Sequence, residues 1–345
     1  MLMSRRFWLG VVVSAIFLIL FFGQIDLRQT ADALRDANYW WLFPAIAVYF
    51  IAVFFRALRW HFLLAPMKSV PVSRLYPIVV VGYMANNLLP IRLGELVRAF
   101  FIWRKEGVNK SSALVTILIE RVFDGVFLLF MALVIWPFLP VADLLKDFSD
   151  NINVPQGLVI FLASAPFILA LMVFFAVALS ARAGRLVTRI TLRLAPGRFK
   201  VQASSLMGGL IAGLSVLRSP RRVLITVLLT APVWLGEATM YYLISLGFRL
   251  ELPFHGLLLT TSTSNLATSL PSTAGAVGPF EYATRLTLEA LNVAGEQAAA
   301  YALALHVALL VPVTLLGLLF LWLQNISLRE IIKRPGSPTE ENGTA

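Results

Sequence analysis

Residues 86–98 read Asn86-Asn87-Leu88-Leu89-Pro90-Ile91-Arg92-Leu93-Gly94-Glu95-Leu96-Val97-Arg98, a polar, helix-breaking insert inside the otherwise apolar segment 75–103. A second segment, 256–292, has the same character. Nine of the fourteen residues from Thr260 to Thr273 are Ser or Thr, Pro271 lies within that run, and Gly275, Gly278, Pro279, Glu281 and Arg285 follow. Proline removes a helix donor and glycine loosens the chain, so each segment is expected to form two half-helices meeting at a turn. Such broken backbone is tolerated at membrane depth only where protein buries it or it lines a watery cavity.

The surroundings of the two breaks make a membrane the expected setting. Of 345 residues, 59% are apolar and 14% charged, whereas soluble domains carry about 25% charged residues. A span needs roughly 20 apolar residues, and six segments reach that length: 7–25, 40–60, 112–139, 157–179, 223–246 and 301–323. The first is too long for a signal peptide and lacks a small-residue cleavage site. The chain has no cysteine, and its histidines (His61, His255, His306) show no metal-ligand spacing, so neither thiol chemistry nor a metal site is expected. No nucleotide-binding motif or other cofactor signature is present.

The net charge of +11 serves as a topology signal. With the N-terminus inside, segments 1–6, 56–74, 104–110, 180–222 and 324–345 hold 21 of 29 basic residues and 4 of 18 acidic ones. The outer segments hold 4 basic and 9 acidic residues. Lys and Arg mark cytoplasmic loops, which places both termini in the cytoplasm and the protein in the cytoplasmic (inner) membrane. Within 180–222, Arg185, Arg189 and Arg193 share one helical face, as expected for an interfacial helix on anionic inner-leaflet lipids. Nucleic acid is disfavoured because no aromatic platform or known motif accompanies the arginines. The tail beyond Lys333 is polar and expected to be disordered.

Basic loops flank the first hairpin, 75–103, so it enters from the cytoplasm. The second, 256–292, lies between spans that end and start outside, so it enters from the opposite face. The expected architecture is all-α: six spans and two re-entrant hairpins in an inverted repeat. The first repeat is 1–139, 140–156 is an outer loop, 157–323 is the second repeat and 324–345 the tail. Paired broken helices in inverted repeats point to a transport site near the midplane.

Nine charges fall at membrane depth: Arg92, Glu95, Arg98, Glu120, Arg121, Asp124, Glu237, Glu281 and Arg285. Each costs on the order of 3 kcal/mol or more there and needs a partner or a water path. Spacing allows Glu95 to meet Arg98, and Arg121 to meet Asp124, on single helical faces. A purely structural role, charges locking hairpins to spans, competes with a binding role. In the binding role, Arg92, Arg98 and Arg285 offer planar forks to a lipid phosphate. Half-helix N-termini add backbone donors, and Glu95 and Glu281 neutralise the arginines, contact an ammonium or carry a proton. Glu120, Arg121, Asp124 and Glu237 support the site. Asn87, Thr261, Ser264, Asn265 and Ser269 are expected to line a hydrated path, in preference to helix packing by small residues. Arg56 and Arg59, with Trp60 and His61, read as an interfacial anchor with snorkelling side chains, and His306 as a hydrogen-bonded packing residue.

These residues also carry a resemblance. Arg56-Ala-Leu-Arg59-Trp60, Asn87 through Glu95 with Arg98, Glu120-Arg121 with Asp124, and Pro271 through Gly278-Pro279-Phe280-Glu281 resemble the flippase-like membrane domain of the lysylphosphatidylglycerol synthase family, over about 7–325. The resemblance implies movement of a polar lipid between leaflets; fused members move the aminoacylated lipid their synthase domain makes. Only a short tail follows residue 325, so the stand-alone form is expected. A phospholipid or isoprenoid-linked lipid is then the substrate, and a separate lipid synthase a possible partner. The competing classes are a small-solute or ion-coupled transporter and a membrane enzyme acting on lipid phosphate, with Glu120, Asp124 or Glu281 as acid or base. An enzyme is not expected, since no nucleophile is evident.

Overall fold

Long apolar runs in this chain become long helices, and runs interrupted by Pro, Gly and Asn become pairs of short ones. The computed structural model describes residues 5–23, 25–89, 93–135, 155, 158, 217, 219–270 and 272–324, and among these there is no strand. The α-helices among the described residues are, in order, α1 (Arg5–Phe22), α2 (Leu27–Asp36), α3 (Leu42–Leu64), α4 (Val72–Leu88), α5 (Gly94–Glu106), α6 (Lys110–Ile135), α7 (Pro220–Gly247), α8 (Phe254–Ala267), α9 (Pro279–Ala290) and α10 (Gly295–Leu323). The expected span 157–179, nearly all of the outer loop 140–156 and of the basic segment 180–222, and the tail after Gln324 lie outside the described residues.

Among the described residues, three helical stretches are long and apolar enough to cross a membrane: Tyr39–Leu64, Pro220–Gly247 and Gly295–Leu323. A fourth is possible if the bent pair Trp8–Phe22 and Leu27–Asp36, at 84°, counts as one span. The expected span 7–25 therefore ends early. The chain turns after Phe22, and Asp26 caps α2 by accepting the backbone N–H groups of Arg28 and Gln29, a standard N-terminal stop-and-start signal. Helix α6 is 26 residues long but carries Glu120, Arg121 and Asp124 at its centre.

Both broken segments are helix–turn–helix pairs, α4 with α5 and α8 with α9. In the first, Asn86 at the end of α4 accepts the Gly94 backbone N–H at 2.7 Å, giving the start of α5 the cap that Leu93 cannot supply. A Cβ on Gly94 would overlap the Gly82 carbonyl oxygen, so glycine is what lets the two arms close. In the second, Gly278 opens α9 at φ +100°, with the Ser14 carbonyl oxygen 2.7 Å from where a Cβ would stand. Pro279 follows at the first helical position, which suits its fixed φ. The Glu281 carboxylate reaches back to the Gly278 N–H at 2.7 Å.

The packing repeats itself. Helix α3 lies along α7, and several further contacts have counterparts: α3–α4 with α7–α8, α5–α6 with α9–α10, and α4–α10 with α8–α6; the packing of α2 on α10 and of α1 on α9 has none among the described residues. The apolar core runs through α3, α4, α5, α6, α7 and α10, with Trp60, Tyr241, Tyr301 and Phe101 among its largest buried side chains. The first arm of each broken segment, α4 or α8, thereby packs against one helix of its own half and one of the other, α3 and α10 for α4 and α7 and α6 for α8.

Candidate functional site

Where the two halves meet, a cavity of about 220 Å³ opens among the central turns of α3, α6, α7 and α10 and the inner ends of both hairpins. Its polar lining comes from both halves: Arg56, Tyr83, Asn86, Asn87, Arg121 and Asp124 from the first, Glu237, Asn265, Thr268, Ser269 and His306 from the second. At 1.5 Å per residue, Arg56 lies about 12 Å from the end of α3 at Leu64, and His306 about 17 Å from the start of α10 at Gly295. The volume holds on the order of seven water molecules at about 30 Å³ each.

The charges are paired across helices. Arg56 donates to Glu237 at 2.5 Å and to the Tyr83 hydroxyl at 2.9 Å. Arg59 donates to Asp124 at 2.7 Å and to the Thr230 hydroxyl at 2.8 Å, with Glu120 at 4.0 Å. Arg98 meets Glu120 at 2.9 Å and stacks 4.2 Å over the Trp60 ring. Arg121 donates to Glu95 at 2.8 Å and lies 4.0 Å from Asp124. Arg56 lies 4.8 Å over the Trp234 ring, and the Trp234 indole donates to Asp124 at 3.0 Å. Asn265 donates to the other oxygen of Glu237 at 2.8 Å. Cation–π stacking, the ion pairs and hydrogen bonds to Glu95, Asp124 and Glu237 are what make burial of so many charges tolerable, whereas Glu120 Oε1 is buried without a hydrogen-bond partner.

Several expectations need correction. Arg56 and Arg59 do not snorkel to an interface. They are 6% and 1% exposed, and each is locked to a carboxylate more than sixty residues away. The signal was present: Trp60-His61-Phe62-Leu63-Leu64 continues the apolar helix beyond them, so they cannot mark its end. The partners expected from spacing are also exchanged. Glu95 pairs with Arg121 and Arg98 with Glu120, because α5 packs on α6 and presents both side chains across the helix boundary.

The Ser/Thr run divides in two. Thr261 and Ser264 are fully buried: the Thr261 hydroxyl donates to the Leu257 carbonyl, and Ser264 bonds Thr284 of α9 at 2.7 Å. Neither lines the cavity: Thr261 bonds within its own helix and Ser264 joins the two arms. Asn265 and Ser269, at the open end, line the cavity, as does Asn87, which donates to the Thr314 hydroxyl at 3.0 Å and the Leu310 carbonyl at 3.3 Å.

Arg285 is turned away from the cavity, donating to the Phe21 carbonyl at 2.7 Å and to Glu289 at 2.6 Å. Glu281 stands behind His306, 2.6 Å from its Nδ1, and His306 forms part of the wall. Arg92 lies outside the described residues. Tyr83 and Trp234 had no sequence signal, since nothing local marks an aromatic that faces an ion pair on another helix.

The comparisons agree on a membrane family. Residues 7–317 match the family model described as the lysylphosphatidylglycerol synthase TM region. A UPF0104 membrane protein of Methanothermobacter thermautotrophicus is 32% identical over 129 residues, 36% of each chain. The glycosyltransferase AglD of Haloferax volcanii is 23% identical over 327 residues, covering 89% of this chain and 52% of that protein. A second UPF0104 membrane protein, from Methanocaldococcus jannaschii, is 24% identical over 250 residues, 72% of this chain and 97% of its own. The chain thus spans between about a third and about half of the first relatives it matches. No solved structure matches.

Proposed function

The chain belongs to the family of the lysylphosphatidylglycerol synthase membrane region, and from that premise we propose that it moves a polar lipid between leaflets, its headgroup passing through the cavity between the hairpins. The observation that carries this is the cavity itself: a space lined by charged and polar side chains among the central turns of the long helices α3, α6, α7 and α10, beside the inner ends of α4 and α8. Broken helices at such depth are the usual surroundings of a transport site, and a headgroup finds there the polar contacts that hydrocarbon denies it.

The matched contacts of the two halves support an inverted repeat, with 75–103 re-entering from the cytoplasm and 256–292 from outside. The distribution of Lys and Arg supports a place in the cytoplasmic membrane with both termini inside, even with Arg56 and Arg59 counted as buried. Arg56 and Arg121 line the cavity and suit a phosphate; Asn86, Asn87, Asn265 and Ser269 suit the hydroxyls or amines of a phospholipid or isoprenoid-linked headgroup. The reading is transport rather than catalysis. Asp124 and Glu237, the carboxylates on the cavity wall, are bound by Arg59 and Arg56 and stand as charge partners rather than as free acids or bases.

The test is reconstitution in vesicles holding trace headgroup-labelled phosphatidylglycerol, phosphatidylethanolamine or polyprenyl phosphate, with an impermeant quencher outside. At least one label is expected to become fully quenchable, against about half in empty vesicles. Quenching no faster than in empty vesicles for all three overturns the reading. A single cysteine at Leu210→Cys is expected to label only from the cytoplasmic side.

A further inference from the structure

The Glu281–His306 pair has a hydrogen-bond arrangement that a neutral histidine and an ionised glutamate cannot satisfy. His306 Nδ1 faces Glu281 Oε1 at 2.6 Å, and its Nε2 faces the Gly275 carbonyl oxygen at 2.9 Å. A neutral imidazole has one N–H and one bare nitrogen, and a carbonyl only accepts. Two oxygens opposite two ring nitrogens therefore require one further proton, on the imidazole or on the carboxyl. The other Glu281 oxygen accepts the Gly278 N–H at 2.7 Å, and the Phe280 ring stacks on the imidazole at 4.3 Å. The pair thus holds both glycines of the turn, Gly275 by its carbonyl and Gly278 by its amide, and His306 stands in the cavity wall.

The surrounding charge favours the same count. Arg56, Arg59, Arg98 and Arg121 are matched by Glu95, Glu120, Asp124 and Glu237, so among the described residues this cluster leaves no cation over for the pair. Arg285, one turn beyond Glu281, is taken by Glu289 and the Phe21 carbonyl. The titratable and charged groups facing the pair across the cavity are Tyr49 and Arg56 of α3, Tyr83 of α4, Arg121 and Asp124 of α6, and Glu237 of α7; Tyr241 of α7 lies behind Phe280. With its proton the pair is neutral; without it, a net negative charge is left on two residues that are only 4% and 5% exposed, where it is costly.

We propose that Glu281 and His306 form a proton-binding site that latches the turn of the second hairpin, and that this proton is the coupling ion for lipid movement. With the proton bound, the Gly275 carbonyl and Gly278 amide are both held and the turn is fixed against α10. When it leaves, one ring nitrogen lacks a hydrogen, the Gly275 carbonyl loses its donor and the turn is released. An anionic headgroup in the cavity brings a negative charge that the bound proton offsets, so proton and anionic lipid travel together. Only the coupling rests on the lipid-transport reading; the proton site does not.

The test has two arms. In the first, 15N-histidine spectra and amide exchange are recorded in nanodiscs of phosphatidylcholine and phosphatidylglycerol between about pH 5 and pH 9. His306 is expected to titrate in one step, with amide exchange across 274–278 accelerating as the proton leaves. Glu281→Gln is the informative variant. Its carboxamide accepts from Gly278 and donates to His306 Nδ1, leaving the Nε2 hydrogen for Gly275, so every bond is kept with a neutral imidazole and no extra proton is required. Slow exchange at all pH values is expected of it. A His306 that releases no proton over this range, or exchange in Glu281→Gln that follows the wild type, overturns the proposal.

In the second arm, vesicles with trace labelled phosphatidylglycerol carry a gradient of one pH unit, acid outside. One proton per anionic lipid sets a leaflet ratio approaching about tenfold towards the inside, abolished by a proton–cation exchanger and lost in Glu281→Gln. Lipid movement by the wild type with no response to the gradient overturns the coupling while leaving the transport reading intact. If the wild type moves no lipid, the transport reading fails and the proton site stands or falls on the first arm.

Discussion

The first hairpin, α4 and α5, is fastened to α6 by ion pairs, Glu95 to Arg121 and Arg98 to Glu120, whereas the second, α8 and α9, is joined arm to arm by hydroxyls and meets its surroundings through the Ser14–Thr273 hydroxyl pair, Asn265 to Glu237, Arg285 to the Phe21 carbonyl and the Glu281–His306 pair. Both are short helices broken at Pro and Gly, and both present an asparagine to the cavity near the end of their first arm, Asn87 and Asn265. What differs is the cost of separation. Breaking a buried ion pair by losing one member costs about 3–5 kcal/mol, while a neutral hydrogen bond contributes about 1 kcal/mol. On that difference the first hairpin is expected to be the firmer wall of the cavity and, on the proton-site proposal, the second the one that yields.

The largest break in this comparison is Glu120→Ala, which strands Arg98 and leaves Arg59 with Asp124 alone. A loss of about 3–5 kcal/mol is expected, read as collapse of the folded peak in fluorescence-detected size exclusion after a heat step. Adding Arg98→Leu should recover part of it, because the uncompensated charge is then gone; no recovery would mean that Trp60 stacking, not charge balance, holds α5.

Next comes Gly94→Ala, whose new methyl meets the Gly82 carbonyl and the Asn86 side chain. Overpacking of this kind costs about 1–3 kcal/mol, and the same thermal assay should place it below Glu120→Ala. A neutral outcome would show that the first hairpin is less tightly closed than its ion pairs imply. Smallest is Thr261→Val, which removes a hydroxyl bonded only within its own helix. A change of no more than about 1 kcal/mol is expected, with unchanged lipid movement in vesicles. A large drop in transport would return Thr261 to the hydrated path and make the two hairpins more alike.

Much of this was legible in the chain because the signals are local. Pro90 with Gly94, and Pro271 with Gly275 and Gly278, interrupt apolar runs, and helices end there whatever surrounds them. Asn87, Arg121, Asp124, Glu237, Asn265 and Ser269 were identified as important because charge and amide groups have few reasons to lie amid hydrocarbon. Their partners were not legible. Spacing joined Glu95 to Arg98, although those side chains find better acceptors and donors on α6. It also set Arg56 and Arg59 at an interface, because a basic pair near the end of an apolar count resembles an anchor. The hydroxyl run from Thr260 to Thr273 was read as one feature, yet its buried part serves packing and its end serves the cavity.

By itself the sequence determined that this is a helical membrane protein, where its two helices break, and to which family it belongs. Apolarity and helix breaking add up residue by residue along the chain, so they survive without knowledge of neighbours. The tertiary structure alone decided which charges meet, that Arg56 reaches Glu237 across 181 residues, and that a histidine alone in its helix faces both a glutamate and the carbonyl of a broken turn. Those outcomes depend on directional contacts between helices remote in sequence. An ångström or two separates an ion pair from a stranded charge there, and no count along the chain carries that distance.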